Sequence, residues 1–315
     1  MKKIALIGEC MIELNGEPFG DMRQTYGGDS LNTATYLARI SSTEHIEVYY
    51  VSALGSDKLS QGMIEAWQRD GIKTDWVLRD ENRQPGLYLI QLDKQGERTF
   101  LYWRNQSAAR YLLQHQDYPK VLSQLSSVNL IYLSGISLAI LPENDRTLLI
   151  DQLTELKRQD VEIAFDSNFR PKLWDSLEQA RQCYAKLLPL VDLALVTFDD
   201  EQALWSDADE QATICRLKSA GVKTVVVKQG KCGAIFSSFS GQEQSVPTIA
   251  VDNVVDTTSA GDAFNAGFLN GYLQKKTLNQ CCRQGNSLAG IVIQHKGAII
   301  PKSATEHLIK QFKEE

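Results

Sequence analysis

The sequence predicts an α/β fold with a largely parallel sheet and one added β-hairpin, and two observations carry that expectation. Short apolar runs alternate with amphipathic stretches of helical length along the 315 residues. One segment, Gly86–Arg104, breaks the alternation and reads as a β-hairpin.

In chain order, the expected strands are Ile4–Ile7, Val48–Ala53, Leu130–Leu133, Val161–Phe165, Leu193–Val196, Val225–Val227 and Ala234–Phe236. The expected helices between and after them are Ser30–Ile40, Ser60–Arg69, Pro142–Arg158, Leu177–Leu188, Glu201–Trp205, Asp209–Ala220, Gly261–Gln274 and Leu278–Ile293. The hairpin closes at the polar turn Asp93-Lys94-Gln95-Gly96-Glu97. Pairing Leu92 with Arg98 sets Tyr88 opposite Tyr102, and strand parity puts Tyr88, Ile90, Phe100, Tyr102 and Arg104 on one face. Such a face suits either a lid over a substrate or an ordinary edge hairpin.

The composition is that of a globular protein, with 43% hydrophobic and 8% aromatic residues. A net charge of -6 disfavours nucleic acid as a partner. The six cysteines form no C-x-x-C or Cys/His cluster, so neither a zinc site nor a disulfide framework is expected. Glu9 interrupts the first apolar run too early for a secretory signal, and no run approaches membrane-spanning length. A cytoplasmic protein without a membrane partner is the resulting expectation. No G-x-x-x-x-G-K-[ST], G-x-G-x-x-G or G-x-S-x-G string occurs, which removes support for a P-loop kinase, a dinucleotide-dependent dehydrogenase and a serine hydrolase.

The most informative stretch runs from Val255 to Tyr272. There Asp256-Thr257-Thr258-Ser259-Ala260-Gly261-Asp262 leads into a run of small and apolar residues. Small residues let a phosphate lie against bare backbone N–H groups, and the positive end of the following helix favours the anion. Asp262 is then a carboxylate beside a phosphate site, which suits phosphoryl transfer to a hydroxyl; a capped helix without chemistry fits the spacing equally well. Three further segments carry polar groups at turns. Gly27-Gly28-Asp29-Ser30-Leu31-Asn32 enters a helix, and Asp29 and Asn32 can hydrogen-bond sugar hydroxyls. Asp166-Ser167-Asn168-Phe169-Arg170 follows a strand, where open α/β sheets bind ligands. Arg170 can grip phosphate or carboxylate with two N–H groups. Lys228-Gln229-Gly230-Lys231-Cys232-Gly233 follows another strand and reads either as a plain turn or as a ligand-approach loop.

The Asp256–Asp262 string resembles the D-T-x-G-A-G-D signature of PfkB carbohydrate kinases, also called the ribokinase family, with Ser259 in place of the usual Gly. The Gly27–Asn32 segment resembles that family's N-terminal sugar-binding signature, which Gly55-Ser56-Asp57 and Gly62 fit loosely. The resemblance runs in family order from Gly8 to Gly297. It implies a ribokinase-like three-layer α/β/α sandwich over residues 1–315 as one domain, with a small β-sheet lid from segments near 10–28 and 86–104. It implies ATP and Mg²⁺ as cofactors, with K⁺ a further candidate. Asp262 would be the catalytic base, with Ser259, Ala260 and Gly261 forming the anion turn. Gly28, Asp29, Asn32, Tyr88, Tyr102, Arg104 and Arg170 would bind substrate. Asn168, Arg170, Lys228, Gly230, Gly233, Ser259, Gly261 and Asn286 would face the nucleotide.

For the metal, many family members have N-x-x-E after a strand. Here Glu201 stands at the Glu position for hydrated Mg²⁺, but Phe198 replaces the Asn; an acidic first turn of a helix explains Glu201 as well. The loop His295-Lys296-Gly297-Ala298 and Asp256 stand where relatives often hold a monovalent cation. Arg104, Arg170 and the tyrosine face favour an acidic sugar as the small-molecule partner. The combination of GECMIEL, GGDSLN, the Tyr88 and Tyr102–Arg104 hairpin, DSNFRPKLW and DTTSAGD is especially similar to the branch of the family that phosphorylates 2-dehydro-3-deoxygluconate. A kinase of a neutral sugar such as fructose or ribose, and a non-catalytic sugar- or nucleotide-binding regulator, are the alternatives. An exposed lid strand could also pair two copies into a homo-oligomer.

Overall fold

In the computed structural model, residues 1–42, 44–92 and 98–314 are described. The strands are β1 (Lys2–Ile7), β2 (Met11–Gly16), β3 (Met22–Gly27), β4 (Ile46–Gly55), β5 (Val77–Asp80), β6 (Leu87–Leu92) and β7 (Arg98–Trp103). They continue as β8 (Leu130–Ser134), β9 (Glu162–Asp166), β10 (Leu193–Thr197), β11 (Thr224–Lys228), β12 (Ala234–Ser237) and β13 (Glu243–Val246). Nine of them form one sheet in the order β13-β12-β11-β10-β9-β8-β1-β4-β5. Its pairs are parallel from β11 across to β5, and β12 and β13 extend it antiparallel.

Side chains alternate across a strand, so each central strand feeds two cores. On β8, Ile131 and Leu133 join Leu149, Leu153 and Tyr184 on one face of the sheet. Leu130 and Tyr132 join Leu37, Phe264 and Phe268 on the other. The first core is covered by the helices Glu143–Lys157 and Leu177–Leu187. The second is covered by Asp29–Ile40, Ala260–Leu273 and Leu278–Val292. Helices on both faces of a mainly parallel sheet make a three-layer sandwich, in line with the parallel α/β fold expected from the strand–helix alternation and the layering implied by the family resemblance.

The smaller sheet has the order β3-β2-β6-β7. Leu92 faces Arg98 and Tyr88 faces Tyr102 across β6 and β7, the register expected from parity. The turn Asp93–Glu97 lies outside the described residues. Two edge strands, β5 and β13, were not expected; both are only four residues long and too short to show a period. The helices Tyr118–Leu125, Gly135–Ala139 and His307–Glu314 were also unexpected, each eight residues or fewer. The helix expected at Glu201–Trp205 begins earlier, at Phe198. Among the described residues, no helix is long and apolar enough to cross a membrane.

Candidate active site

The polar residues converge where β1, β9, β10 and β11 end and where the helices Asp29–Ile40 and Ala260–Leu273 begin. Asp262 lies in the first turn of the latter helix and is 8% exposed. Asn32 Nδ2 donates to its Oδ2 at 2.8 Å, and the Ser259 hydroxyl donates to the same oxygen at 3.2 Å. Thr33 Oγ1 donates to its backbone carbonyl at 3.3 Å. Burial pushes the Asp262 carboxyl up to about 7, and the Asp29 carboxylate adds to the rise; the Asn32 hydrogen bond and the Lys228 charge oppose it. A carboxylate tuned in this way can accept a proton near neutral pH.

The backbone at Gly28, just before Asp29, passes very close to the segment Glu9–Cys10 that follows β1. A β-carbon there would stand 2.1 Å from the Glu9 carbonyl oxygen, so only glycine fits the backbone path. Asp29 accepts from Asn168 Nδ2 at 2.6 Å and from the Ser30 N–H at 2.8 Å, which ties the first sugar-binding candidate to the loop after β9. Above them, the Tyr88 hydroxyl donates to Glu13, whose other oxygen accepts from Thr25 at 3.0 Å. The rings of Tyr88, Phe100 and Tyr102 lie 6.0 to 6.3 Å apart on one face of the small sheet.

Both candidate arginines are already paired. Arg104 Nε donates to Glu9 at 2.8 Å, Nη2 donates to the same oxygen, and the pair is buried. Arg170 meets Asp200 at 3.3 Å and is half exposed, with Nη1 also donating to the Phe169 carbonyl at 2.9 Å. Burial raises the Asp200 carboxyl to about 6, and the Arg170 charge opposes that rise.

On the other side of Asp262 is a cleft of about 460 Å³. Lys228, Gly230, Gly233, Ala260, Gly261 and Asn286 all line it, although they come from three distant segments of the chain. Gly233 adopts φ +98°, and a β-carbon there would meet the Val246 carbonyl oxygen at 2.2 Å. Asn286 Nδ2 donates to that same carbonyl at 3.1 Å and so fastens the strand end to the helix Leu278–Val292. Asp256 ties its own turn to the loop after the helix Leu278–Val292: Oδ1 accepts from the Thr258 N–H at 3.0 Å, and Oδ2 accepts from the Gly297 N–H at 2.9 Å.

Glu201 stands apart from the cleft. It is 1% exposed and accepts from Arg216 at 2.5 Å, and the same guanidinium holds Asp207. Of the acidic turn, it is Asp200 that pairs with the candidate-site residue Arg170. Among the described residues, no group of three or more His, Cys, Asp or Glu is placed to hold a metal. Glu9, Asp166 and Asn265 also belong to this region, and sequence reasoning had given none of them a role. A signal existed for Asn265: it lies three residues after Asp262 on a helix made mostly of small and apolar residues, and so on the same face.

Comparison with known proteins agrees with this geometry. Residues 1–305 match the model of the pfkB family of carbohydrate kinases. The chain is 66% identical over 313 residues to a 2-dehydro-3-deoxygluconokinase of Haemophilus influenzae, covering 99% of this chain and 100% of the relative. A 2-dehydro-3-deoxygluconokinase of Dickeya dadantii is 43% identical over 305 residues, covering 96% and 98%. Among solved structures, a fructokinase with bound ATP from Xylella fastidiosa superimposes with a TM-score of 0.81, at 23% identity over 99% of each chain. A family match over almost the whole chain, on a sandwich with these residues gathered at one end, makes this protein a member of the PfkB family of carbohydrate kinases.

Proposed function

We propose that this protein transfers the γ-phosphoryl group of ATP to the terminal (6-) hydroxyl of 2-dehydro-3-deoxy-D-gluconate, giving 2-dehydro-3-deoxy-6-phospho-D-gluconate. The observation that carries the chemistry is the place of Asp262, between a glycine-lined cleft and the Gly28–Asn32 turn. The substrate follows from 66% identity to a relative named for that keto acid.

In this reading Asp262 accepts the hydroxyl proton as the oxygen attacks, while Asn32 and Ser259 aim its carboxylate. Backbone N–H groups of Ser259–Asp262, at the positive end of their helix, stabilise charge on the transferred group. Lys228 adds a point charge at the same end of the cleft. The volume of the cleft and the bare backbone at Gly230 and Gly233 fit a nucleotide. Mg²⁺ neutralises the polyphosphate when ATP is bound. Because the described residues include no ready-made cage, Asp200 would hold the ion through water, and Glu201 is kept back by Arg216. The small sheet acts as a lid that limits transfer to water.

A neutral acceptor is the second reading, favoured by one observation: Glu9 already neutralises Arg104. A substrate panel in a coupled ADP assay separates the two. The expected result is a kcat/KM for the keto acid at least about 100-fold above that for fructose or ribose, as pairing a carboxylate with guanidinium groups implies. A preference for fructose overturns the substrate assignment.

Two copies pair through the small sheet in the same reading, because its edge strand β7 exposes Leu101, Tyr102 and Trp103. Sedimentation equilibrium should give a dimer that Trp103→Glu converts to monomer. A wild-type monomer at micromolar concentration refutes that pairing.

A further inference from the structure

We infer that Asp166 and Asn265 are positioning residues for phosphoryl transfer, and that together they fix the Lys228 ammonium at the phosphate end of the cleft. The inference deepens the kinase reading and rests on it.

Lys228 ends β11 with a side chain only 7% exposed. A buried ammonium is costly unless acceptors surround it. Here Nζ donates to Asp166 Oδ2 and to Asn265 Oδ1, each at 3.1 Å. Asn265 in turn donates through Nδ2 to Asp166 Oδ2 at 2.7 Å and to the Tyr132 hydroxyl oxygen at 3.0 Å. Asn265 and Tyr132 are fully buried, and Asp166 is 3% exposed.

These contacts fix which way the amide faces. Its two N–H groups are taken by a carboxylate and a phenol, and its oxygen faces the ammonium. A flipped amide would turn N–H groups toward the ammonium and an oxygen toward the Asp166 carboxylate, losing the bonds to both charged groups, and the Tyr132 hydroxyl, which can donate as well as accept, would offset only part of that. The orientation is therefore specified, and with it the position of Nζ.

That position is at the reacting end of the cleft. Nζ lies 3.6 Å from the point where a β-carbon on Gly261 would stand, beside the first N–H groups of the Ala260–Leu273 helix. Two of the three ammonium N–H groups are directed to Asp166 and Asn265, and the third is left for a phosphate oxygen. Asp166 comes from β9, Lys228 from β11, Asn265 from the helix that carries Asp262 and Tyr132 from β8. A purely structural cluster would stabilise the sheet–helix packing, but it would not require its cation to line the cleft.

A double-mutant cycle tests the inference, run with Mg-ATP and whichever sugar acceptor the wild-type enzyme turns over fastest. Asn265→Leu should lower kcat by on the order of 100-fold, as a misplaced catalytic charge does. The KM for the sugar should stay within about threefold, because Asn265 does not face the acceptor side. In a Lys228→Met background the same substitution should change kcat by less than about threefold. Asp166→Asn, which keeps the shape of the side chain, provides the same cycle if Asn265→Leu does not fold. Equal losses in both backgrounds, or wild-type kcat in the single variants, overturn the inference. Failure of the wild type on the keto acid alone would instead refute the substrate reading and leave this cycle intact.

Discussion

Asp262→Asn is expected to keep the fold and lose between about 10²- and 10⁴-fold in kcat, the range for removing a positioned general base. The substitution preserves the size of the side chain. It also leaves an amide that can still accept from Asn32 Nδ2 and Ser259 Oγ, so the helix start keeps its hydrogen bonds. What disappears is a group that can take a proton. The pH dependence follows from the raised carboxyl, whose value of about 7 is set first by burial and then by Asp29. The base works only when ionised, so wild-type kcat/KM should climb with pH and level off above about 7, a limb absent from the variant. Stability runs the opposite way. A carboxyl raised in the folded state contributes stability that is complete below its ordinary value of 3.8 and is lost as pH rises through about 7. The melting temperature of Asp262→Asn, relative to wild type, should therefore improve between pH 5 and pH 8. Melts and rates on one purified variant test both halves. Near-normal turnover rules out Asp262 as the base.

Much of the scaffold was legible because it rests on periodicity. The apolar runs at Leu130–Leu133 and Leu193–Val196 are strands buried on both faces, and such strands read as continuous apolar stretches. The hairpin register could be counted from Leu92 and Arg98 because side chains alternate strictly in a strand. The site was legible only in part. Turns with glycines and short polar residues announce themselves locally, which is how Gly28, Asn32, Lys228 and Asp262 were singled out. Long-range pairing leaves no such trace. Glu9 looked like an interruption in an apolar run, whereas it is the buried partner of Arg104, 95 residues away. Glu201 sits where a family pattern places a metal-directed carboxylate, but Arg216 on the next helix holds it. Phe198 in place of Asn fits that arrangement: it opens the helix and packs partly against the core instead of offering an amide to the site.

The two arginines should respond differently to the same substitution, and the difference is physical. Arg170 is half exposed and its contact with Asp200, at 3.3 Å, is a loose one. Exposed pairs of this kind contribute little to stability, so Arg170→Met should leave the melting temperature within about two degrees of wild type. Its effect should fall on the keto acid instead. Losing one charge-assisted contact to a carboxylate corresponds to about a 10- to 100-fold rise in KM. The KM for a neutral sugar should hardly move. Arg104 is bound to a Glu9 side chain with no exposed surface, and the buried Glu9 Oε1 has no hydrogen-bond partner among the described residues. Arg104→Met would strand that carboxylate, and removing one member of a buried pair costs about 3–5 kcal/mol. A marked fall in melting temperature should therefore accompany any loss of affinity. Adding Glu9→Gln to Arg104→Met should recover much of the stability without recovering affinity for the keto acid. If the double variant regains both, Arg104 is a lid fastener and the substrate carboxylate is held elsewhere. If Arg170→Met leaves the KM for the keto acid unchanged, Arg170 is likewise removed from the substrate site.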